Sequence, residues 1–294
     1  MKIKQILPQD NIFLQRLDSI ALKPKMLYYY GELPKEEQKV VAIVGARKNT
    51  KYGEEIAYRL AYDLAKKGVI IVSGLALGID SIAHRGAVAA GGVTIGILGT
   101  EIEKMYPQKH TELAEKMVEL GGAVMSEYKM GDKMNYKGSF LARNRLISGL
   151  ADIVVVVEAA AKSGSLNTAS HAITQGRELF AVPGDITRRM SEGCNNLLKM
   201  GANPYTKPED IISVLFPIEV EKARKKRLAE AQLQLFGDTK EERAVVSKLI
   251  EGVRDGEEIM ERLGMDAATF NQTITMLEIK DIVRSLGMNF WTLK

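Results

Sequence analysis

The sequence predicts an α/β protein whose main body is a doubly wound, mostly parallel sheet, followed by a small second module. Three observations carry this. Short apolar runs recur at residues 40–44, 69–72, 93–98, 123–125, 153–157 and 179–182. The run at 153–157 is uninterrupted isoleucine and valine, as a parallel strand buried on both faces requires. Segments with helical spacing of apolar residues separate these runs, so the connections read as right-handed crossovers.

In chain order, residues 1–38 hold three prolines, the cluster Tyr28, Tyr29 and Tyr30, and a short amphipathic run at Ile12, Leu14, Leu17 and Ile20. They read as a lead-in packing on the main domain. The strand at 40–44 leads through Gly45, Ala46, Arg47, Lys48 and Asn49 into a helix over 53–67, with Ile56, Leu60 and Leu64 on one face and Gly68 as its stop. The strand at 69–72 turns through residues 73–78 (SGLALG) into a helix over 79–90. The strand at 93–98 is followed by a loop through Tyr106 and Pro107 and a helix to Leu120. Arg143, Asn144 and Arg145 enter a short helix ending near Gly149. After the strand at 153–157 come Glu158, the turn Ser163, Gly164 and Ser165, and a helix from Thr168 to Gln175. A last helix covers 209–216 before Pro217.

This is an extended Rossmann-like arrangement over residues 39–217. Residues 218–239 form a charged linker in which Lys222 and residues 224–227 bunch positive charge. Residues 240–294 form the second module, with three helices over 241–251, 257–263 and 267–278 and a hairpin around Gly287. That order resembles a winged helix-turn-helix. Its 8 basic and 10 acidic side chains, and a third helix offering Thr269, Asn271, Gln272 and Thr273 without Arg or Lys, favour contact with protein at least as much as with duplex DNA.

Composition narrows the function. A net charge of +4 over 294 residues does not by itself point to a polyanion partner, so charge placement matters more. The lone Cys194 excludes an internal disulfide and suits a reducing cytoplasm. No signal-peptide pattern and no apolar run of membrane-spanning length is present. There is no GxxxxGK[ST], no GxGxxG after the first strand, no G-x-S-x-G and no H-E-x-x-H, and His84, His110 and His171 lie in separate segments. No cofactor or metal is expected. Asp80 and His84, four apart on one helix, and Glu158 at a strand end are the acid–base candidates, although a carboxylate steadying a histidine near a helix start is more often structural.

What stands out instead is a binding surface. In a doubly wound sheet, ligands lie beyond the C-terminal strand ends. Arg47, Lys48, Arg85, Lys137, Arg143, Arg145 and Lys162 fall on loops or helix starts assigned to that edge, among Tyr136 and Phe140. Cations that follow a phosphate backbone and aromatics that stack bases suit single-stranded nucleic acid. The turn at Ser163, Gly164 and Ser165, opening a helix, suits an anion. Scattered surface cations and a core phenylalanine are the competing account.

The ordered motifs VAIVGARKNTKYG, SGLALGIDSIAHRGAV, GILGTEIEKMYP, FLARNRLISGLADIVVVVEA, SGSLNTA, GRELFAVPGD and SEGCNNLLKMGA resemble the DNA-processing protein A family, DprA or Smf, over residues 40–216. The resemblance implies a non-enzymatic mediator that binds and protects incoming single-stranded DNA, loads the RecA recombinase in natural transformation, and forms a homodimer. It also implies DNA contact at Arg47, Lys137 and Phe140, with Phe140 a stacking residue and Ser73, Gly74, Ser163, Gly164 and Ser165 forming an adjoining backbone pocket. Ala46, His110 and Leu141 depart from the family's usual Ser, Asn and Pro. Two alternatives stay open, a Rossmann-like nucleotide phosphoribohydrolase using Asp80, His84 and Glu158, and a nucleotide-sensing protein.

Overall fold

The computed structural model describes residues 2–218, 220–221 and 238–294, apart from the side chains of Tyr136 and Lys137. Most of the charged linker expected over 218–239 therefore lies outside the described residues. The chain divides into two compact units, Met1–Leu215 and Phe216–Lys294.

The first unit is built on a nine-stranded sheet. Six parallel strands form its centre: β3 (Val40–Val44), β4 (Ile70–Ser73), β5 (Thr94–Ile97), β6 (Ala123–Ser126), β7 (Ile153–Val156) and β8 (Glu178–Ala181). Every side chain of β3 and β7 is buried, and each fully buried Val or Ile contributes roughly 1.5–3 kcal/mol. These strands lie within one or two residues of the apolar runs.

Three further strands were not among the six read from the sequence. Residues 1–38 do more than pack on the main domain: β1 (Lys4–Ile6) and β2 (Leu27–Gly31) extend the sheet antiparallel beyond β6, with Tyr28 opposite Ser126 and Tyr30 opposite Val124. The tyrosine cluster is the strand signal here, since aromatic residues suit a pleated surface. The other rim is β9 (Asn203–Pro204), two exposed residues paired parallel to β8. The full order is β1-β2-β6-β5-β4-β3-β7-β8-β9.

Helices cover both faces. α1 (Lys51–Ala65) and α2 (Ile79–Ala89) lie against each other and against β3 and β4, and α3 (Thr111–Glu119) covers β5 and β6. α4 (Tyr136–Leu150) and α5 (Ser165–Thr174) pair on the opposite face. There Leu146, Ile147 and Leu150 pack in one core with Val40, Ala42, Val44, Val154 and the lead-in residues Leu14 and Leu17. α6 (Glu192–Lys199) and α7 (Pro208–Leu215) complete the unit.

α4 begins seven residues before Arg143, because Asn135 caps it by accepting the Gly138 N–H. That lengthening turns the segment expected to be loop into helix. It fixes where Phe140 stands.

The second unit has helices Lys240–Ile250, Gly256–Leu263 and Ala267–Ile279, then the antiparallel hairpin β10 (Val283–Gly287) and β11 (Phe290–Leu293). Its core gathers Val245, Val246, Leu249, Ile259, Phe270, Ile274 and Leu277. Helix starts are marked by a capping box at Thr239 and Glu242 and by the side-chain caps Asp255 and Asp266. Buried Glu242 is paired with Lys280 Nζ at 2.7 Å.

Candidate functional site

The strand order reverses at β3, with β4 on one side of it and β7 on the other. Connections leaving β3 and β7 diverge to opposite faces, which opens a crevice beyond their C-terminal ends. A cleft lies there, walled by Gly45 and Arg47 after β3, Asp80 on α2, Phe140, Arg143 and Asn144 on α4, and residues 163–165 at the start of α5.

The floor is an arginine. Arg143 is 4% exposed, and its Nη1 donates to the carbonyls of Gly74, at 2.6 Å, and Ile97. Burial pushes its guanidinium down to about 10, opposed by the Asp80 carboxylate and assisted by Arg47, so it stays charged at neutral pH. Burial likewise raises the Asp80 carboxyl against the pull of Arg143, the N–H groups of Ala76 and Gly74, and Arg47.

Gly74 is where only hydrogen fits. A Cβ there would stand 2.5 Å from both Arg143 Nη1 and Asp80 Oδ2. Gly164, at φ −62° with nothing within 4 Å of a built Cβ, is the natural control. Gly74→Ala is expected to cost about 1–3 kcal/mol through overpacking, whereas Gly164→Ala should stay within about 0.5 kcal/mol. Urea unfolding of the two variants checks this, and equal effects would refute the close-approach account.

The rim is exposed and cationic. Arg47 is exposed, with its guanidinium 5.5 Å from the Phe140 ring centroid, within cation–π range. Lys48 beside it is also exposed. Phe140 is half-buried and seated against the backbone of Gly99, where a Cβ would come within 2.6 Å of its ring. The backbone of Lys137 lies in the first turn of α4, while its side chain is outside the described set. On the opposite wall, Ser163 Oγ and Ser165 Oγ are 2.8 Å apart at the positive end of α5. The N–H groups of Leu166 and Asn167 are already bonded to the carbonyls of Ser163 and Gly164, so this helix offers an anion chiefly its hydroxyls and its dipole.

Several expected contact residues have structural partners instead. Ser73 points inward, its Oγ donating to the Ile43 carbonyl at 2.6 Å. Asn144 braces α4 against α5, its Nδ2 reaching Gly164 O at 3.4 Å and Asn167 Oδ1 at 3.2 Å. Arg145 leaves the cleft altogether and makes a two-pronged pair with Glu127, at 2.5 and 2.6 Å, while Nε holds the Leu22 carbonyl. The reason is helical geometry: residues i, i+1 and i+2 point about 100° apart, so Arg143, Asn144 and Arg145 cannot face one ligand together. Arg85 lines a separate groove with Lys109 and Lys116 beside α3, and Lys162 is exposed before α5.

The acid–base candidates do not converge. His84 is fully buried, and its Nδ1 is 2.7 Å from Thr94 Oγ1, whose own hydrogen goes to the Ile71 carbonyl. Nδ1 therefore carries the proton, leaving Nε2 buried without a partner. Burial, with His110 and Arg143 adding repulsion, pushes the imidazole down to about 3. Glu158 caps α1 instead, accepting the Thr50 N–H at 2.8 Å and the Thr50 hydroxyl at 2.6 Å. Among the described residues no cluster of three metal-ligating side chains occurs, and no helix is long and apolar enough to cross a membrane.

The sequence profile described as DNA recombination-mediator protein A matches residues 4–216, the whole of the cleft-bearing sheet. The chain belongs to that family. It is 42% identical over 211 residues to protein Smf of Escherichia coli K12, covering 71% of this chain and 56% of that one, so it spans little more than half of that relative. With DNA processing protein DprA of Streptococcus pneumoniae R6 it shares 37% identity over 204 residues, 69% of this chain and 71% of the relative. Among solved structures, DNA processing protein A from S. pneumoniae aligns with a TM-score of 0.66 at 36% identity, over 72% of this chain and 74% of that one. DNA processing protein A from Helicobacter pylori, which has a unique single-stranded DNA binding mode, aligns at 0.65 and 34% identity over 74% of this chain and 97% of its own. The family's profile thus ends where the first compact unit ends, and the second unit lies outside it.

Sequence reasoning undervalued two residues of this site. Asp80, an acid–base candidate by its spacing to His84, is the counter-charge of Arg143. Tyr106, in the loop that ends the GILGTEIEKMYP motif, packs against Phe140.

Proposed function

We propose that this chain is a non-enzymatic, single-stranded DNA-binding recombination mediator, and that Arg47 and Phe140 at the mouth of the switch-point cleft form its contact surface. The observation that carries this is an exposed guanidinium and an aromatic ring held together over a cationic cleft. Phosphate attraction plus stacking is the sequence-tolerant chemistry of single-strand binding. The single-stranded DNA binding of the H. pylori relative supports it. Lys48, Lys137, Ser163, Gly164 and Ser165 would continue the backbone track, with Arg143 and Asn144 holding the cleft in shape.

In this reading the mediator protects incoming DNA in the cytoplasm, loads RecA during natural transformation and acts as a homodimer. Residues 39–217 are its DNA-binding domain, and the lead-in over 1–38 packs on it. The segment 218–239 is a linker to a winged-helix-like module over 240–294, whose acidic balance suits a protein partner.

The test is fluorescence anisotropy with a labelled oligo-dT and its duplex counterpart over a salt series. Expected are tighter binding to the single strand and a steep salt dependence. Arg47→Ala should weaken binding to every sequence alike and lower the slope of log K against log salt by about 0.7, the loss of one single-strand phosphate contact. Absence of single-strand binding at low salt would remove this reading. Hydrolysis of nucleotides is disfavoured by the dispersal of His84, Asp80 and Glu158. A nucleotide-sensing role draws on the cleft's closed, charged floor, and competition by a nucleoside monophosphate at low concentration would favour it.

A further inference from the structure

We infer that Tyr106 is a stacking platform for a nucleobase beside the cleft, and that Phe140 is the buttress that holds it. The inference rests on the single-strand reading above and refines it: Arg47 and Phe140 stay in the contact surface, with Tyr106 as the face that meets the base and Phe140 behind it.

The surroundings of Phe140 carry the argument. Its ring is half-buried, pressed on the Gly99 backbone from one side and covered by the Arg47 guanidinium at 5.5 Å. Tyr106 takes a further side, with ring centroids 5.8 Å apart and planes tilted by 53°. A base arriving at Phe140 would have to displace one of these partners. Tyr106 is the outer member of the pair and is 52% exposed, an unusually open position for a tyrosine whose other side is packed.

Beside it Leu77 is 37% exposed, and Arg47, Leu77, Tyr106 and Pro107 share a shallow hollow next to the cleft. Its lining joins apolar Leu77 and Pro107, aromatic Tyr106 and Phe140, and the cation of Arg47. A flat π-system carrying a phosphate suits it, because the ring stacks while the anion stays near Arg47.

The experiment uses the full chain, an oligo-dT and an abasic oligomer of equal length, with Tyr106→Ala, Tyr106→Phe, Tyr106→Trp and Arg47→Ala. Tyr106→Ala should lose about 5- to 20-fold in affinity for oligo-dT. It should lose nothing on the abasic strand, and Tyr106→Phe should bind as the parent does. In Tyr106→Trp, fluorescence above the Trp291 background should be quenched by oligo-dT and not by the abasic oligomer. If Arg47→Ala weakens binding while Tyr106→Ala does not, or if Tyr106→Ala loses equally on both strands, the platform is wrong and single-strand binding stands. If the parent chain binds neither strand, both proposals fail.

Discussion

Arg143→Ala should unfold more easily than the parent by about 3–5 kcal/mol, the cost of removing one member of a buried charge pair. The guanidinium ties the turn at Gly74 to Ile97 at the end of β5, and it faces Asp80. Without it two buried carbonyls lose their donor, and a carboxylate at 7% exposure keeps its desolvation without compensation. Arg143→Lys should recover little, since a single ammonium cannot reproduce the fork. Adding Asp80→Asn should restore part of the loss, because the orphaned charge goes with it. The check is urea unfolding of the single and double variants. An Arg143→Ala protein of parental stability would show that the residue faces ligand and not the fold. Arg47→Ala, by contrast, should affect binding and leave unfolding unchanged.

His84 should give the fold a strong dependence on acid. Its folded-state value is held near 3, while an unfolded histidine titrates near 6.5. A depressed value contributes stability that is complete above pH 6.5 and is lost as pH falls toward 3, because the unfolded chain takes up a proton that the folded chain refuses. Within that window the loss is about 1.4 kcal/mol per pH unit, or roughly 3 kcal/mol between pH 6 and pH 4. His84→Gln, which keeps a hydrogen-bonding group near Thr94, should flatten the stability–pH curve by one proton over this range. Identical slopes in parent and variant would mean that the buried ring is protonated or hydrated in the folded state.

The central sheet was legible because its strands are mostly buried on both faces and read as short, near-continuous apolar runs, purest in the Ile and Val of β7. The rim strands were less so. Asn203 and Pro204 leave no periodicity to detect, and the tyrosines of β2 sit in a proline-broken stretch. The location of the cleft was legible too, since the polar turns Gly45 to Asn49 and Ser163 to Ser165 follow neighbouring parallel strands. The direction of individual side chains was not. Arg143 and Arg145 look equivalent in sequence, yet one faces the sheet and the other Glu127, a difference set by the phase of a helix that starts at the Asn135 cap. Asp80 and His84 share a helix face as their spacing predicts, but Asp80 is claimed by Arg143 on α4 and His84 by Thr94 on β5, and no local pattern encodes that.

The two rims of the sheet bear on how copies of the chain can meet. β1 is three residues long, with the Lys4 ammonium folded back on the Gly31 carbonyl, and β9 is two residues long and ends in a proline that has no N–H to give. Both rims are short, so a second molecule could continue the sheet over only two or three residues. The homodimer proposed above would therefore be assembled through side chains on helical or loop surfaces, where single substitutions can tune it without touching the sheet.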